Sequence, residues 1–166
     1  MPDHGRFVFF DEWRLAAAPN AVWAVIRDAT TWPEWWRSVH RATLLAPAGT
    51  DDIERWEFRF RTRLPYDMSF VAGLSCYEAE RRVEARVTGR MDGHGGCRLE
   101  PIDGGTLVRF DWEVRPQVAW MRAVSRFARP VFGWNHRSLM AEGAFGLARR
   151  LDTRLLTSPV GALLPA

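Results

Sequence analysis

The stretch APNAVWAVIRDATTWPEWW, residues 18–36, joins two proline-started apolar segments with no room for a linker between them. Pro19 suits the first turn of a helix, where the amide it lacks has no intrahelical partner. Val22, Val25 and Ile26 then share one face at helical spacing. Thr31 and Glu34 have capping-box spacing around Pro33, which predicts a second short helix starting at Thr31. That helix carries Trp32, Trp35 and Trp36. Three such rings side by side amount to about 450 Å² or more, near the upper range for an exposed patch on a soluble monomer. They therefore cover something: the core, a membrane, a partner or a ligand.

Upstream, FVFFDEWRL (7–15) is aromatic-rich and reads as a strand. Downstream, the chain alternates. In RWEFRFR (55–61), Trp56, Phe58 and Phe60 point one way and Arg55, Glu57, Arg59 and Arg61 the other. LPYD (64–67) is a turn. Residues 68–77 form a strand with Met68, Phe70, Ala72, Leu74 and Cys76 on one face, and 82–91 alternate again through Val83, Ala85 and Val87. MDGHGG (91–96) reads as a turn, 97–102 as a short strand, and DGG (103–105) as a hairpin signal. Residues 106–115 set Val108, Phe110, Trp112 and Val114 against Arg109, Asp111, Glu113 and Arg115. Consecutive hairpins with one apolar face make an antiparallel sheet that must be covered on that face.

The C-terminal segment supplies the cover. Stepping about 100° per residue, Trp120, Val124, Phe127 and Val131 form a stripe opposed by Arg122, Arg126 and Arg129. From His136 onward the stripe is His136, Met140, Gly143, Leu147 and Leu151. That change of phase predicts a break at Pro130, with one helix near 117–128 and a long one from about 130 to 155. The tail SPVGALLPA is expected to be loose. The order is strand, two short helices, about six further antiparallel strands and a long helix. This is an α+β arrangement with helices on one face of a curved sheet and a cavity between them. There is no internal repeat or interdomain linker, and a single domain over residues 1–166, with its core at about 7–155, is expected.

Composition narrows the chemistry. The 166 residues are 47% hydrophobic and 26% charged, with a net charge of +3. All 23 basic residues are arginine, which excludes a Schiff-base lysine, a lysine general base and a P-loop lysine. The arginines are dispersed, so a nucleic-acid partner is not expected. Cys76 and Cys97 have neither C-x-x-C nor secreted-disulfide spacing. His94 and Cys97 form one H-x-x-C pair, which a hairpin tip explains better than a metal does. MPDHGRFVFFDEW carries early acids and too short an apolar run for a signal peptide. No stretch approaches the roughly 20 apolar residues needed to span a bilayer. The expectation is a cytoplasmic protein with reduced thiols, no metal, no cofactor and no stable membrane insertion, as a monomer or homodimer.

The stretches 18–36, LPYDMSF (64–70), LVRFDWEV (107–114) and RPVFGWNHRSLMAEGAFGLARRL (129–151) resemble the START-like (Bet v 1-like, SRPBCC) superfamily, and within it the polyketide cyclase/dehydrase and lipid transport branch. The resemblance runs from about residue 7 to 155. It implies a helix-grip fold, with about seven strands wrapped on a long C-terminal helix around an apolar tunnel. Members bind lipids, sterols, polyketides or aromatics, and some catalyse cyclisation or dehydration.

The candidate ligand-binding residues follow from the inward faces. Trp56, Phe58, Phe60, Tyr66, Phe70, Leu74, Phe110 and Trp112 come from the sheet and its turn; Phe132, Asn135, His136 and Met140 come from the long helix. Each apolar member is either plain core or ligand contact. Trp32 and Trp36, four apart, are expected to anchor their helix in the core, with Trp35 nearer the cavity entrance. His136 is either a satisfied core histidine or a pocket hydrogen-bonder and general acid/base. Asn135 is structural or binds a carbonyl oxygen, Tyr66 is a turn tip or a donor at the mouth, and Glu142 is expected to be solvated. The leading reading is a binder or carrier of a small hydrophobic ligand. The alternative is a polyketide cyclase, aromatase or dehydratase with His136 as its candidate catalytic residue. A third reading, an interaction module with a vestigial pocket, predicts a cavity packed shut.

Overall fold

The computed structural model describes residues 5–49 and 53–165, with the backbone alone at Arg126. The opening residues of the N-terminal reading and the Arg126 side chain lie outside what is described. The order is β1 (Phe7–Leu15), α1 (Pro19–Arg27), a 3-10 turn (Ala29–Thr31), α2 (Trp32–Trp35), β2 (Val39–Ala46), β3 (Arg55–Arg61), β4 (Asp67–Glu78), β5 (Arg82–Gly89), β6 (Met91–Ile102), β7 (Gly105–Pro116), α3 (Ala119–Arg150) and β8 (Val160–Leu163). The strands form one antiparallel sheet in the order β2-β3-β4-β5-β6-β7-β1-β8, with α3 lying across its apolar face. This is the expected α+β helix grip, with eight strands instead of about seven.

Four local expectations are corrected. MDGHGG is not a turn but the first half of β6, paired with β7 from Met91↔Pro116 onward. Its glycines serve packing: a Cβ on Gly95 would lie 2.8 Å from the Trp112 ring, which rests flat on that strand. His94 is consequently exposed on one face while Cys97 is buried on the other, so the two cannot share a ligand. The tail is not loose: Val160–Leu163 pair with β1 at Glu12↔Val160 through Phe9↔Leu163. The capping box does not form, because the Thr31 hydroxyl donates to the Asp28 carbonyl within the 3-10 turn.

The fourth correction concerns α3, which is one continuous helix with Pro130 inside it. Without a break the phase is continuous, and the inward face is Met121, Ser125, Phe132, Asn135, Leu139, Ala144 and Leu147. Trp120, Val124, Phe127 and Val131 are exposed instead. The inward face is built largely of small or slender side chains, while the large aromatics sit outside.

The small residues set how closely the helix docks. A Cβ on Gly143 would fall 2.5 Å from the Trp36 ring, and one on Gly146 only 1.9 Å from the Trp35 carbonyl oxygen. The Trp36 indole Nε1 donates to the Leu139 carbonyl at 2.9 Å. Trp13 meets Trp36 edge-on at 5.5 Å between ring centres. An alanine inside a helix normally stabilises by about 1 kcal/mol over glycine. Gly146→Ala is expected to reverse that sign and destabilise by about 1–3 kcal/mol through overpacking on backbone. Gly73→Ala, whose Cβ meets nothing closer than 3.7 Å, serves as the neutral control in the same urea unfolding series.

Candidate functional site

Between the sheet and α3 lies a cavity of about 220 Å³. A cavity packed shut by its own aromatics is therefore not what the chain builds. The walls follow from strand register. Phe58 of β3 faces Phe70 of β4 across the ladder, and their rings sit 5.6 Å apart. Phe60 stacks on Phe70 at 5.8 Å, and Trp112 meets Phe70 edge-on at 5.4 Å. Alternation along each strand puts these rings on one side and the arginines of β3 and β7 on the other. From α3, Phe132, Leu139 and Met140 close the cavity opposite them.

Few polar groups reach this lining, and each is tied to something. At the end nearest α1 and α2, Arg27 Nη2 donates to Glu54 Oε2 at 2.8 Å, and the Trp56 indole donates to Glu54 Oε1 at 2.6 Å. The Arg27 guanidinium also lies over the Tyr77 ring, 5.0 Å from its centre. Burial pulls the Arg27 pKa down, but the bonds to Tyr77 and Glu54 outweigh it and hold it above its ordinary value. At the opposite end Tyr66 is half-buried, its ring edge-on to Trp120 at 5.4 Å. Burial pushes its phenol pKa up, so it remains a hydrogen-bond donor through neutral pH.

His136 lies in the α3 wall with its ring stacked on Phe9 at 3.9 Å. Its Nε2 is 2.6 Å from Oδ2 of Asp11. Asp11 is 1% exposed and sits on the otherwise apolar inward face of β1, between Phe9 and Trp13. Gly161 of β8 closes over the carboxylate: a Cβ there would lie 2.5 Å from Asp11 Oδ1. A buried carboxylate is costly without a partner, and His136 is that partner. The same bond fixes the imidazole ring against the cavity wall. The neighbouring Asn135 is structural in one half, since its Oδ1 accepts the Arg63 backbone amide at 3.1 Å and ties α3 to the β3–β4 loop. Its amide nitrogen is the half left as a donor.

Every lining residue expected from the sequence borders this cavity except Trp35. Trp35 is buried over Gly146 between α2 and α3, while Trp32 and Trp36 line the cavity. The expected roles are thus exchanged for Trp32 and Trp35. Helix α2 ends at Trp35 and Trp36 follows it in extended backbone, so the i,i+4 relation to Trp32 does not hold, and Trp35 and Trp36 are the pair pressed on α3. Glu142 is not free in solvent: it accepts a bond from the Ser38 hydroxyl that joins α3 to the segment after α2. Sequence reasoning missed Asp11, Arg27 and Glu54. Asp11 carried a signal, as a charge on an apolar face; the Arg27–Glu54 pair did not, being joined only by the fold. Cys97 also faces the cavity, but burial, together with the nearby Asp111 charge, pushes its thiol up to about 12, which makes it inert as a nucleophile. Among the described residues no three His, Cys, Asp or Glu side chains are grouped to hold a metal ion. No described helix is long and apolar enough to cross a membrane.

Residues 11–152 match the family described as polyketide cyclase / dehydrase and lipid transport. No curated protein matches the chain in sequence. Among solved structures, the di-domain ARO/CYC BexL from the BE-7585A biosynthetic pathway is similar at 15% identity and a TM-score of 0.71, over 91% of this chain and 52% of that one. The chain thus spans about half the length of that di-domain protein. The Zhui aromatase/cyclase from Streptomyces sp. R1128 is similar at 12% identity and a TM-score of 0.66, over 87% of this chain and 94% of that one. A START superfamily protein from Mycobacterium smegmatis is similar at 12% identity and a TM-score of 0.67, over 87% of this chain and 99% of that one. At such identities these likenesses concern the fold. The family match covers most of the chain, and the chain belongs to the polyketide cyclase/dehydrase and lipid transport family.

Proposed function

We propose that this member of the polyketide cyclase/dehydrase and lipid transport family binds and carries a small hydrophobic ligand, an aromatic, polyketide or short acyl molecule, between its sheet and α3. The observation that carries the reading is the cavity itself: about 220 Å³ walled almost wholly by aromatic and aliphatic side chains. An apolar cavity of about 150 Å³ suffices for benzene, so this one suits a fused bicyclic or a compact chain. Burial of apolar ligand surface supplies the affinity, at roughly 25 cal/mol per Å² before the costs of association. Polar groups stand at separate places on the wall: Arg27 with Glu54 toward one end, His136, Asn135 and Tyr66 toward the other. A ligand with oxygens at both ends meets a donor at each.

One observation favours a second reading, catalysis of cyclisation or dehydration. With Nε2–H of His136 donated to the Asp11 carboxylate, Nδ1 is the ring nitrogen that carries the lone pair a general base needs. A base at that position removes an α-proton from a β-keto chain. The resulting enolate attacks a second carbonyl, and the proton returns to the new alkoxide, with Asn135 or Tyr66 as the donor type that stabilises the developing oxyanion.

Two measurements separate the readings. Titration with a naphthol probe, followed by tryptophan fluorescence, is expected to saturate. Ala85→Leu, which fills lining space, is expected to weaken probe binding about tenfold, the equivalent of 1.4 kcal/mol. A wild-type protein that takes up no probe would count against the carrier reading. For the enzymatic reading, His136→Ala is expected to lower turnover of a poly-β-keto thioester by about 10²-fold or more while probe binding stays within a few-fold. Turnover unchanged by that substitution removes His136 as the base.

A further inference from the structure

We infer that the amino-terminal half of α3 is a docking ridge for an anionic lipid surface. Trp120, Val124, Phe127, Val131 and Trp134 are all exposed, Phe127 at 83% and Trp134 at 46%. At 100° per residue they fall within an arc of about 80°, and they extend along about 21 Å of helix axis. This is a single apolar ridge on a convex surface, with tryptophan at both ends. Isolated exposed apolar residues need no explanation, but five aligned large ones do.

Charge selects the partner. Between Glu113 and Glu142 the sequence holds no acid. The arginines of α3 itself lie on its other side, Arg129 donating to the Arg6 and Leu164 carbonyls, so the charge beside the ridge comes from neighbouring loops. Arg63 and Arg90, both exposed, stand on loops that meet this end of the molecule through the Arg63 amide bond to Asn135 and the Gln117 amide bond to the Arg90 carbonyl. Asp67 is an exposed acid beside them. A second copy carries the same net charge of +3, and pairing like with like across the ridge is disfavoured. An acidic protein satisfies the charge but needs a groove for shape complementarity, and the ridge is convex. A deformable bilayer interface accepts a convex row of Trp, Phe and Val with the exposed Arg63 and Arg90 at its amino-terminal end.

Position adds the third argument. Trp120 touches Tyr66, and Tyr66, Pro116 and Met121 line the cavity. The ridge therefore adjoins one end of the cavity, and docking there brings that end to the lipid surface. The inference rests on the proposed cavity ligand only for what docking achieves, transfer of an apolar molecule between bilayer and cavity.

The test mixes the full chain with vesicles of phosphatidylcholine alone or of equimolar phosphatidylcholine and phosphatidylglycerol, followed by sedimentation and tryptophan emission. Binding to the anionic vesicles with a blue shift is expected, at least about tenfold weaker on phosphatidylcholine alone and lost at high salt. The Phe127→Ser/Trp134→Ser pair is expected to weaken it at least about tenfold, with naphthol uptake and thermal midpoint unchanged. Arg63→Glu is an independent second variant, expected to weaken only the anionic component. No binding to anionic vesicles at low salt overturns the inference and leaves the ridge to an acidic protein. Binding untouched by both variants, or a dimer that the double variant dissolves, overturns it as well. Vesicle binding with no probe uptake counts against the cavity reading alone, so the two failures are distinguishable.

Discussion

The molecule is organised by how closely one helix approaches one cluster of tryptophans. At Gly143 and Gly146 the backbone of α3 comes within reach of Trp36 and of the Trp35 carbonyl, where no Cβ fits. Ala144 and Leu147, on the same stretch, are wholly buried. The Trp36 indole bond to the Leu139 carbonyl fixes this contact along the helix axis. Ahead of that point the inward residues of α3 are longer, from Met121 through Phe132 to Met140, and they border empty space instead of backbone. One end of the helix is clamped and the rest stands off, so the cavity is a consequence of where the small residues are placed.

That division separates stability from function along a single element. Close packing of α2, β1 and the carboxyl half of α3 buries Trp13, Trp35 and Trp36, and these side chains supply the large apolar burial that holds the layers together. The amino half of α3 gives up comparable contact, and its inward face carries Asn135 and His136. The Asp11–His136 bond sits at the boundary between the two halves. It spends a buried carboxylate on holding one ring in one orientation, which plain core packing does not require. The enclosing strand β8 seals that carboxylate through Gly161. This is why the C-terminal strand matters to the site although it contributes none of the cavity lining.

Legibility in the sequence tracked the two-faced strands. β3 and β7 have one wet and one dry face, so alternation located both them and the rings they carry. β2, at the sheet edge, has exposed residues on both faces, among them Leu44 and Leu45, and no pattern announced it. β6 was misread because its glycines accommodate the Trp112 ring, a demand set by a neighbouring strand. α3 was misread because periodicity reports hydrophobicity and not size: the outward ridge carries more apolar bulk than the glycine- and alanine-containing face that is buried. The cavity lining was legible for the same reason as the strands. The Arg27–Glu54 pair was not, since nothing local foretells a bond that only the fold creates.

The central claim is that the space under the standing-off half of α3 holds a hydrophobic molecule. Native mass spectrometry of gently purified protein tests it most directly. The account predicts a bound apolar species of small mass that is released on acid denaturation, or uptake of one added naphthol per chain where the protein is isolated empty. A protein of bare mass that takes up neither an aromatic nor a fatty-acid probe would contradict it.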